Sequence, residues 1–565
     1  MRTLASPSPD PASRLAPVRS VVSPLLPVLL TLALAALGLS LVFARLFPAR
    51  AAAPAVAFTD VTAESGVRFT HQAGSGPAPT TLGAGVAVFD ANGDGAPDLF
   101  FVGGAPWPWE ASLGKRPGRG LALFRNDGRG RFTDVTAAAG LEVAMQGMAA
   151  VAGDFDADGR TDLFVTGIGG NRLFRNLGGG RFEDVTESAG VGGDATRWST
   201  GAAWLDFDAD GQLDLVVAHY ARWPEDVGLA QAFAIANLGR SYGAPAGFAG
   251  AFPTVYRNLG DGRFAPVADG AGLRDVDPET RRAVPHALAL ATVDANFDGR
   301  IDLLFTYHAH PPALFLGQAG GRFVRLAPAS PRQEGTVALL AAGVLASDAA
   351  DEDPAGKMLF AWARGASADD ATSLPARLGI AAADFDHDGR IEFFSGEGTA
   401  EAGPNRFDSG RDFGRIPAML RSEGARWIPV PAPGGWSAPV TARGVATGDF
   451  DRDGDADVVI AQHGGPALLL RNEQRQGRPW LRLRLVATRS HPEAAGARVE
   501  VHTPRGVLRR VHAPALGLFA QSQPGLDFGL GDDARIRRLV IHWPSGQVQE
   551  LPAPALNREH EVREP

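Results

Sequence analysis

The chain has 565 residues, a formal net charge of −9 and no cysteine, which excludes a disulfide framework, a thiolate metal site and a lipid anchor on sulfur. Its length exceeds one ordinary hydrophobic core and suits one large repeat domain plus a small one. Gly 70 and Pro 42 belong to a turn-dense β architecture, and no basic groove with interleaved aromatics argues for nucleic acid as a partner.

Arg2, Arg14 and Arg19 precede an apolar run from about Val21 to Phe43. That run approaches the ~20 residues that span a bilayer, and the upstream arginines predict a cytoplasmic N-terminus. Residues 1–20 read as a cytoplasmic segment, 21–47 as a signal-anchor or signal peptide, and 48–57 as a linker. Ala49-Arg-Ala51 and Ala51-Ala-Ala53 offer cleavage sites, so the chain is expected to be tethered by one membrane pass or secreted. Either outcome places the rest outside the cytoplasm, periplasmic or at the cell surface.

Beyond residue 58 one acidic loop recurs six times, with acids or Asn at positions 1, 3, 5 and 9 and Gly at 6. The copies are Asp90, Asn92, Asp94 and Asp98; Asp154, Asp156, Asp158 and Asp162; Asp206, Asp208, Asp210 and Asp214; Asp294, Asn296, Asp298 and Asp302; Asp384, Asp386, Asp388 and Glu392; and Asp449, Asp451, Asp453 and Asp457. Such oxygen-only spacing suits a hard cation that takes six to eight oxygens, which is Ca²⁺, up to six per chain. A lone copy would be a solvated Asp-rich turn; six copies with the same fourth acid are not. An EF-hand loop needs a bidentate Glu at position 12, where this chain has Phe101, Val165, Val217, Phe305, Ser395 and Ile460. The EF-hand is excluded. Six bound dications would bring the formal charge from −9 to about +3, so the acidity is mostly metal ligand rather than a surface for a basic partner.

Small-residue strands precede the loops (Gly85-Val-Ala-Val-Phe89) and apolar strands follow them (Leu99-Phe-Phe-Val102), so each loop joins two strands of one sheet. Hairpins alternate with the loops, as in Leu123-Phe-Arg-Asn126 turning to Phe132-Thr-Asp-Val-Thr136, and again at Leu173 and Val255, with weaker copies from Leu314 and Met419. Four strands per unit make the blade of a β-propeller. The first loop acids lie 64, 52, 88, 90 and 65 residues apart. The 88-residue gap holds an insertion near 219–252, and the 90-residue gap has room for a degenerate blade around Gly343–Trp362, so seven blades fit better than six. The last hairpin stops at Leu470-Arg-Asn472, while its missing strand stands alone as Phe58-Thr-Asp60-Val-Thr62. An N-terminal strand completing the final blade would close the ring and remove its unpaired edge. The fold class is therefore all-β: a propeller over 58–475 with a small β-rich C-terminal domain.

The repeats resemble the FG-GAP/VCBS calcium-loop propellers also seen in integrin α heads. The C-terminal segment carries Gly496-Ala-Arg-Val-Glu-Val501, Gln521-Ser-Gln-Pro-Gly-Leu-Asp-Phe528-Gly-Leu-Gly531 and Leu539-Val-Ile-His-Trp543-Pro-Ser-Gly546. That order is similar to the cartilage acidic protein (ASPIC/UnbV) family, over about 476–560. Relatives often carry Cys where this chain has Ser241-Tyr-Gly-Ala-Pro245, so any clamp on that insertion is missing here. Only Lys115 and Lys357 are lysines, and abundant Ala and Gly accompany them, a composition of GC-rich bacterial genomes.

No catalytic constellation stands out. His219, His308, His310 and His463 follow strands after the loops, where they are either a collected set or scattered strand-end polar residues. Gly-x-Ser-x-Gly and phosphate-cradling loops are absent. Trp107-Pro-Trp109 and the aromatics from Tyr220 to Phe252 (Trp223, Tyr242, Phe248) suit protein or glycan capture or else a buried lid. Arg509, Arg510, Arg537 and Arg538 read as a solvated face. The expectation is a non-enzymatic calcium-binding propeller for extracytoplasmic binding or adhesion. Its alternative is an exported hydrolase or lyase acting on polysaccharide.

Overall fold

The computed structural model describes residues 56–565 except 73–82, 106–119, 223–233, 236–238, 241–249, 277–285, 297, 308–312, 327–376, 400–415, 424–425, 431–437, 475–476, 513–518 and 533–534. Each acidic loop joins two antiparallel strands, as its flanks predict. Around the first loop Gly85–Phe89 pairs with Asp98–Val102, and Leu121–Asn126 and Phe132–Asp134 follow to complete four strands. The same order begins again at Gln146–Gly153, Arg197–Leu205, Ala287–Val293, Arg377–Ala383 and Ala442–Gly448. Among the described residues this makes six blades, called I to VI from Gly85 onward. The degenerate blade expected near 343–362 and the recognition aromatics Trp107, Trp109, Trp223, Tyr242 and Phe248 lie outside the described residues, as do segment 21–47, His308 and His310. No helix among the described residues is long and apolar enough to cross a membrane.

Small residues on the first strands let neighbouring blades approach. A Cβ on Gly85 would sit 2.6 Å from Met148 O, and one on Gly444 would sit 2.8 Å from Ala84 O. The apolar cores consequently lie between blades: Val86, Leu99, Phe101 and Phe124 of blade I pack with Phe450, Val459 and Leu469 of blade VI, joined by Val61 and Phe69.

Blade VI closes as the sequence predicts. Phe58, Thr59 and Asp60 pair with Asn472, Arg471 and Leu470, which makes the N-terminal strand the outermost of that sheet. Thr62 Oγ1 accepts the Leu469 N–H (2.8 Å), as Thr136 does for Leu123 (2.9 Å) in blade I and Thr186 for Leu173 (2.8 Å) in blade II. Residues 58–62 thus take the place in blade VI that 132–136 take in blade I.

A second device joins blade to blade. The Asn of the Leu-Phe-Arg-Asn hairpin is buried, and its Nδ2 donates to the position-2 carbonyl of the preceding blade's acidic loop. Asn126 reaches Phe450 O (2.9 Å), Asn176 reaches Ala91 O (3.0 Å), Asn258 reaches Phe155 O (2.8 Å) and Asn472 reaches Phe385 O (3.0 Å). A second bond from the same nitrogen holds its own loop, as Asn258 does to Leu213 O (3.0 Å). Replacing Asn258 by Ala orphans two buried carbonyls and is expected to cost about 2–3 kcal/mol, read as a lowered denaturation midpoint at unchanged slope; a loss within a few tenths of a kcal/mol contradicts this role.

Residues 480–565 form two further sheets. Trp480–Val486 pairs with Leu526–Gly529 and, in parallel, with Glu559–Arg563. Arg498–Thr503, Gly506–Val511, Arg538–His542 and Val548–Leu551 make the other sheet, and Leu483, Val499, Phe528, Ile541 and Trp543 fill the space between. One part of this segment leaves its own core. Ala520 and Gln521 pair in parallel with Val86 and Ala87 on the first strand of blade I. Gln521 Oε1 accepts the Ala152 N–H of blade II (2.6 Å), Ser522 Oγ accepts Thr447 N–H of blade VI (3.0 Å), and Gln523 Oε1 accepts Asp449 N–H (2.9 Å). The Gln-Ser-Gln triplet therefore satisfies backbone groups on the first strands of three consecutive blades.

Candidate metal centres

All six loops share one hydrogen-bond plan. The position-1 carboxylate accepts the N–H of the position-6 glycine, from Gly95 to Asp90 at 2.7 Å through Gly454 to Asp449 at 3.2 Å. Those glycines hold φ between 80 and 100°, a region open to Gly at little cost. The position-9 carboxylate accepts the position-2 N–H on one oxygen, as Asp98 does from Ala91 (3.0 Å), and in every loop but the fifth the other oxygen accepts the amide of the third strand, as from Asn126 (2.7 Å). The ninth residue thus fixes the loop to two strands, and second lone pairs remain for a cation.

Sequence reasoning missed position 4. Ala157, Ala209, His387 and Arg452 are all left-handed there, with φ of 55, 61, 53 and 62°. Each non-glycine residue in that region costs of order 1 kcal/mol, and Gly93 at the same place in the first loop was the available signal.

Carboxylates converge within 4.8 Å in four loops: Asp154, Asp156 and Asp162; Asp206, Asp208 and Asp210; Asp384, Asp386 and Glu392; Asp449, Asp451 and Asp453. Loops I and IV, with Asn92 and Asn296 at position 3, donate from that Asn to Asp94 (2.8 Å) and Asp298 (2.7 Å) instead. Several oxygens in the converging loops are sealed from solvent without a hydrogen-bond partner: Asp156 Oδ1, Asp208 Oδ1, Asp384 Oδ1, Glu392 Oε1, Asp449 Oδ1 and Asp451 Oδ1. A buried, unpaired carboxylate oxygen is costly, and oxygen-only donors in this number fit a hard divalent cation.

Arginines share the charge. Arg175 lies 2.8 Å from Asp156, Arg257 lies 2.8 Å from Asp208 and 3.0 Å from Asp210, and Arg160, Arg300 and Arg390 pair with the position-5 acids of their own loops. The C-terminal segment supplies more: Arg482 contacts Asp449 (2.9 Å), Arg478 contacts Asp386 (3.2 Å) and Arg510 donates to Gly389 O (3.1 Å). Arg510 is only 8% exposed, which corrects its reading as part of a solvated face; the sheet turns it inward over Phe528. Arg538 at the surface pairs with Glu550.

Burial, with backbone donors opposing it and the like-charged loop neighbours adding to it, raises the position-9 acids: Asp98 and Asp302 to about 7, Asp162 and Asp214 to about 8. Asp457 and Glu392 go well above their ordinary values for the same first reason. A carboxyl whose pKa is higher folded than unfolded binds its proton more tightly when folded, so it destabilises the fold as pH rises from about 4 towards 8. Metal-free protein is therefore expected to melt at progressively lower temperature between pH 5 and 8. Excess divalent cation, which competes with those protons, flattens or reverses that slope. Equal slopes with and without chelator in a pH series of melting curves contradict the shared site.

Of the four predicted histidines, His219 and His463 fall among the described residues, on blades III and VI. His219 spends both ring nitrogens on hydroxyls, Ser199 at 3.2 Å and Thr254 at 2.8 Å, and burial lowers its pKa to about 3. His463, on blade VI, lies against His71 with ring centroids 5.1 Å apart.

Repeated acidic loops between paired strands of an all-β ring define the class, and family models agree. The FG-GAP-like repeat matches residues 111–165 and 154–217, the FG-GAP repeat matches 441–481, and ASPIC and UnbV matches 487–565. FG-GAP repeats and an ASPIC and UnbV segment are therefore both present in the chain. Among curated proteins it is similar to cartilage acidic protein 1 of Xenopus tropicalis, 26% identical over 304 residues that cover 52% of this chain and 38% of that protein. The human protein of that name gives 26% over 304 residues, 52% of this chain and 37% of its own length. The match thus spans well under two thirds of either relative. Of solved structures, an Agrocybe aegerita lectin (16% identity, 69% of this chain, 80% of that chain) gives a TM-score of 0.31, and a mutant of AofleA from Arthrobotrys oligospora (12%, 82% and 92%) gives 0.33. Likeness at that level carries no argument about fold or ligand.

Proposed function

We propose that the chain is a non-enzymatic β-propeller stapled by calcium, exported and tethered through residues 21–47, whose surface loops recognise protein or glycan outside the cytoplasm. The observation that carries the calcium part is the convergence of carboxylates whose buried oxygens lack any partner. Calcium there would be held by the acids at positions 1, 3, 5 and 9 and would turn their mutual repulsion into attraction. Millimolar calcium outside cells suits loops of this kind. A chain without cysteine has no disulfide to do the same work. Support for binding rather than catalysis comes from His219, whose ring nitrogens are both engaged in the core. Long aromatic insertions on a rigid scaffold suit recognition.

The test is a glycan-array and pull-down screen of the full chain with and without calcium. The reading expects retention that needs calcium and is lost when residues 221–252 are deleted. Turnover of a polysaccharide by the purified chain, abolished by changing His308 and His310 and kept when the loop acids are changed, would overturn it in favour of a hydrolase or lyase.

A further inference from the structure

We propose that the fifth loop holds its cation beneath a seal made by the C-terminal segment, so that this ion leaves only when the segment lifts away. The inference rests on the reading above that the loops bind a divalent cation, and it separates one site from the rest in kind.

The fifth loop is the most enclosed. Asp384, Asp386 and Glu392 are 3%, 2% and 2% exposed, and their ligand oxygens lie within 4.8 Å of one another. It also differs chemically. In the other five loops position 9 is Asp, and its Oδ1 is occupied by a third-strand amide: Asn126, Asn176, Asn258, Gly317 or Asn472, at 2.7–2.8 Å. Here position 9 is Glu, one methylene longer, and its Oε1 is buried with no partner, as is Oδ1 of Asp384. Two free buried oxygens therefore accompany the cluster.

The cover is backbone laid directly on the loop. Gly529 N–H donates to Asp384 Oδ2 (3.0 Å) and Gly531 N–H to His387 O (2.7 Å). A Cβ on Gly529 would lie 2.3 Å from His387 Cα and 2.4 Å from Asp384 Oδ2, so only glycine permits the approach. Arg478 donates to Asp386 O (2.7 Å) and Arg510 to Gly389 O (3.1 Å), pinning the same segment at both sides. By contrast, Asp94 of the first loop and Asp210 of the third are exposed to solvent. An ion in those loops meets water directly, whereas one in the fifth must wait for local opening, which is slow where contacts are buried.

The experiment follows calcium release. Full chain loaded with calcium is mixed with excess EGTA, and the metal remaining on the protein is measured over time by mass spectrometry. The expected result is about one ion per chain that leaves at least about tenfold more slowly than the others. Glu392→Gln removes that slow fraction. Arg478→Ala combined with Arg510→Ala takes two cations away from an acidic site, which strengthens equilibrium attraction for calcium. Faster release in this double variant therefore reports a lost seal rather than a weaker site. Release of all calcium from the wild-type chain in one fast phase overturns the proposal, and needs no variant to fold. A chain that takes up no calcium before EGTA is added defeats the earlier reading instead.

Discussion

Stripping divalent metal from the full chain lowers its melting temperature by about 10 °C or more, and added calcium restores it. Each site that binds only the folded chain contributes about 2.7 kcal/mol when the ion is a hundredfold above its dissociation constant. Several such sites outweigh any single side chain, and even at the small shift per kcal/mol of a large domain their sum is a wide one. The structure gives the reason for the size of the effect. Position-1 and position-9 acids fix the turn between the first two strands of every blade, and the same turns receive the asparagines of the next blade. Loosening the loops loosens the ring. Differential scanning calorimetry with EGTA and with calcium checks this; curves that superimpose would show that the arginines alone neutralise the loops.

Removing the closing strand has the second largest effect. Phe58 is 6% exposed and meets Phe385 and Phe394 edge to face, at 5.6 and 5.7 Å between centroids. Phe58→Ala is expected to cost about 3–5 kcal/mol. Deleting residues 56–62 also removes Val61 from the core shared by blades I and VI and the Thr62 bond to Leu469, and it leaves Leu468–Asn472 as an open edge ready to pair with another chain. The truncated protein is expected to aggregate or to melt far below the full chain, which light scattering during a thermal ramp would record. A truncated chain that melts within a degree or two of the full one would mean that the ring closes elsewhere.

Much of this was legible because it is written in short, repeated, local patterns. The loops, their flanking strands and the hairpins each lie within a dozen residues, and Phe58-Thr-Asp-Val-Thr62 is recognisable because Phe132–Thr136 repeats it. What was not legible depends on contacts far apart in the chain. Asn126 and Asn176 recur in plain sight, but that each reaches back to the preceding blade's loop, across 324 and 85 residues, is a property of the closed ring. Gln521-Ser-Gln523 occurs once, so no repeat marked it as the segment that satisfies three blades. Arg510 looked like a surface residue because its strand partners, not its neighbours in sequence, decide which way it faces.

The most direct measurement is the calcium content of the purified chain after dialysis against calcium and removal of free ion. From converging carboxylates with unpaired buried oxygens the account predicts several ions per chain, up to one for each of the six loops. A content indistinguishable from zero, in protein that melts cooperatively, would contradict the account at its centre.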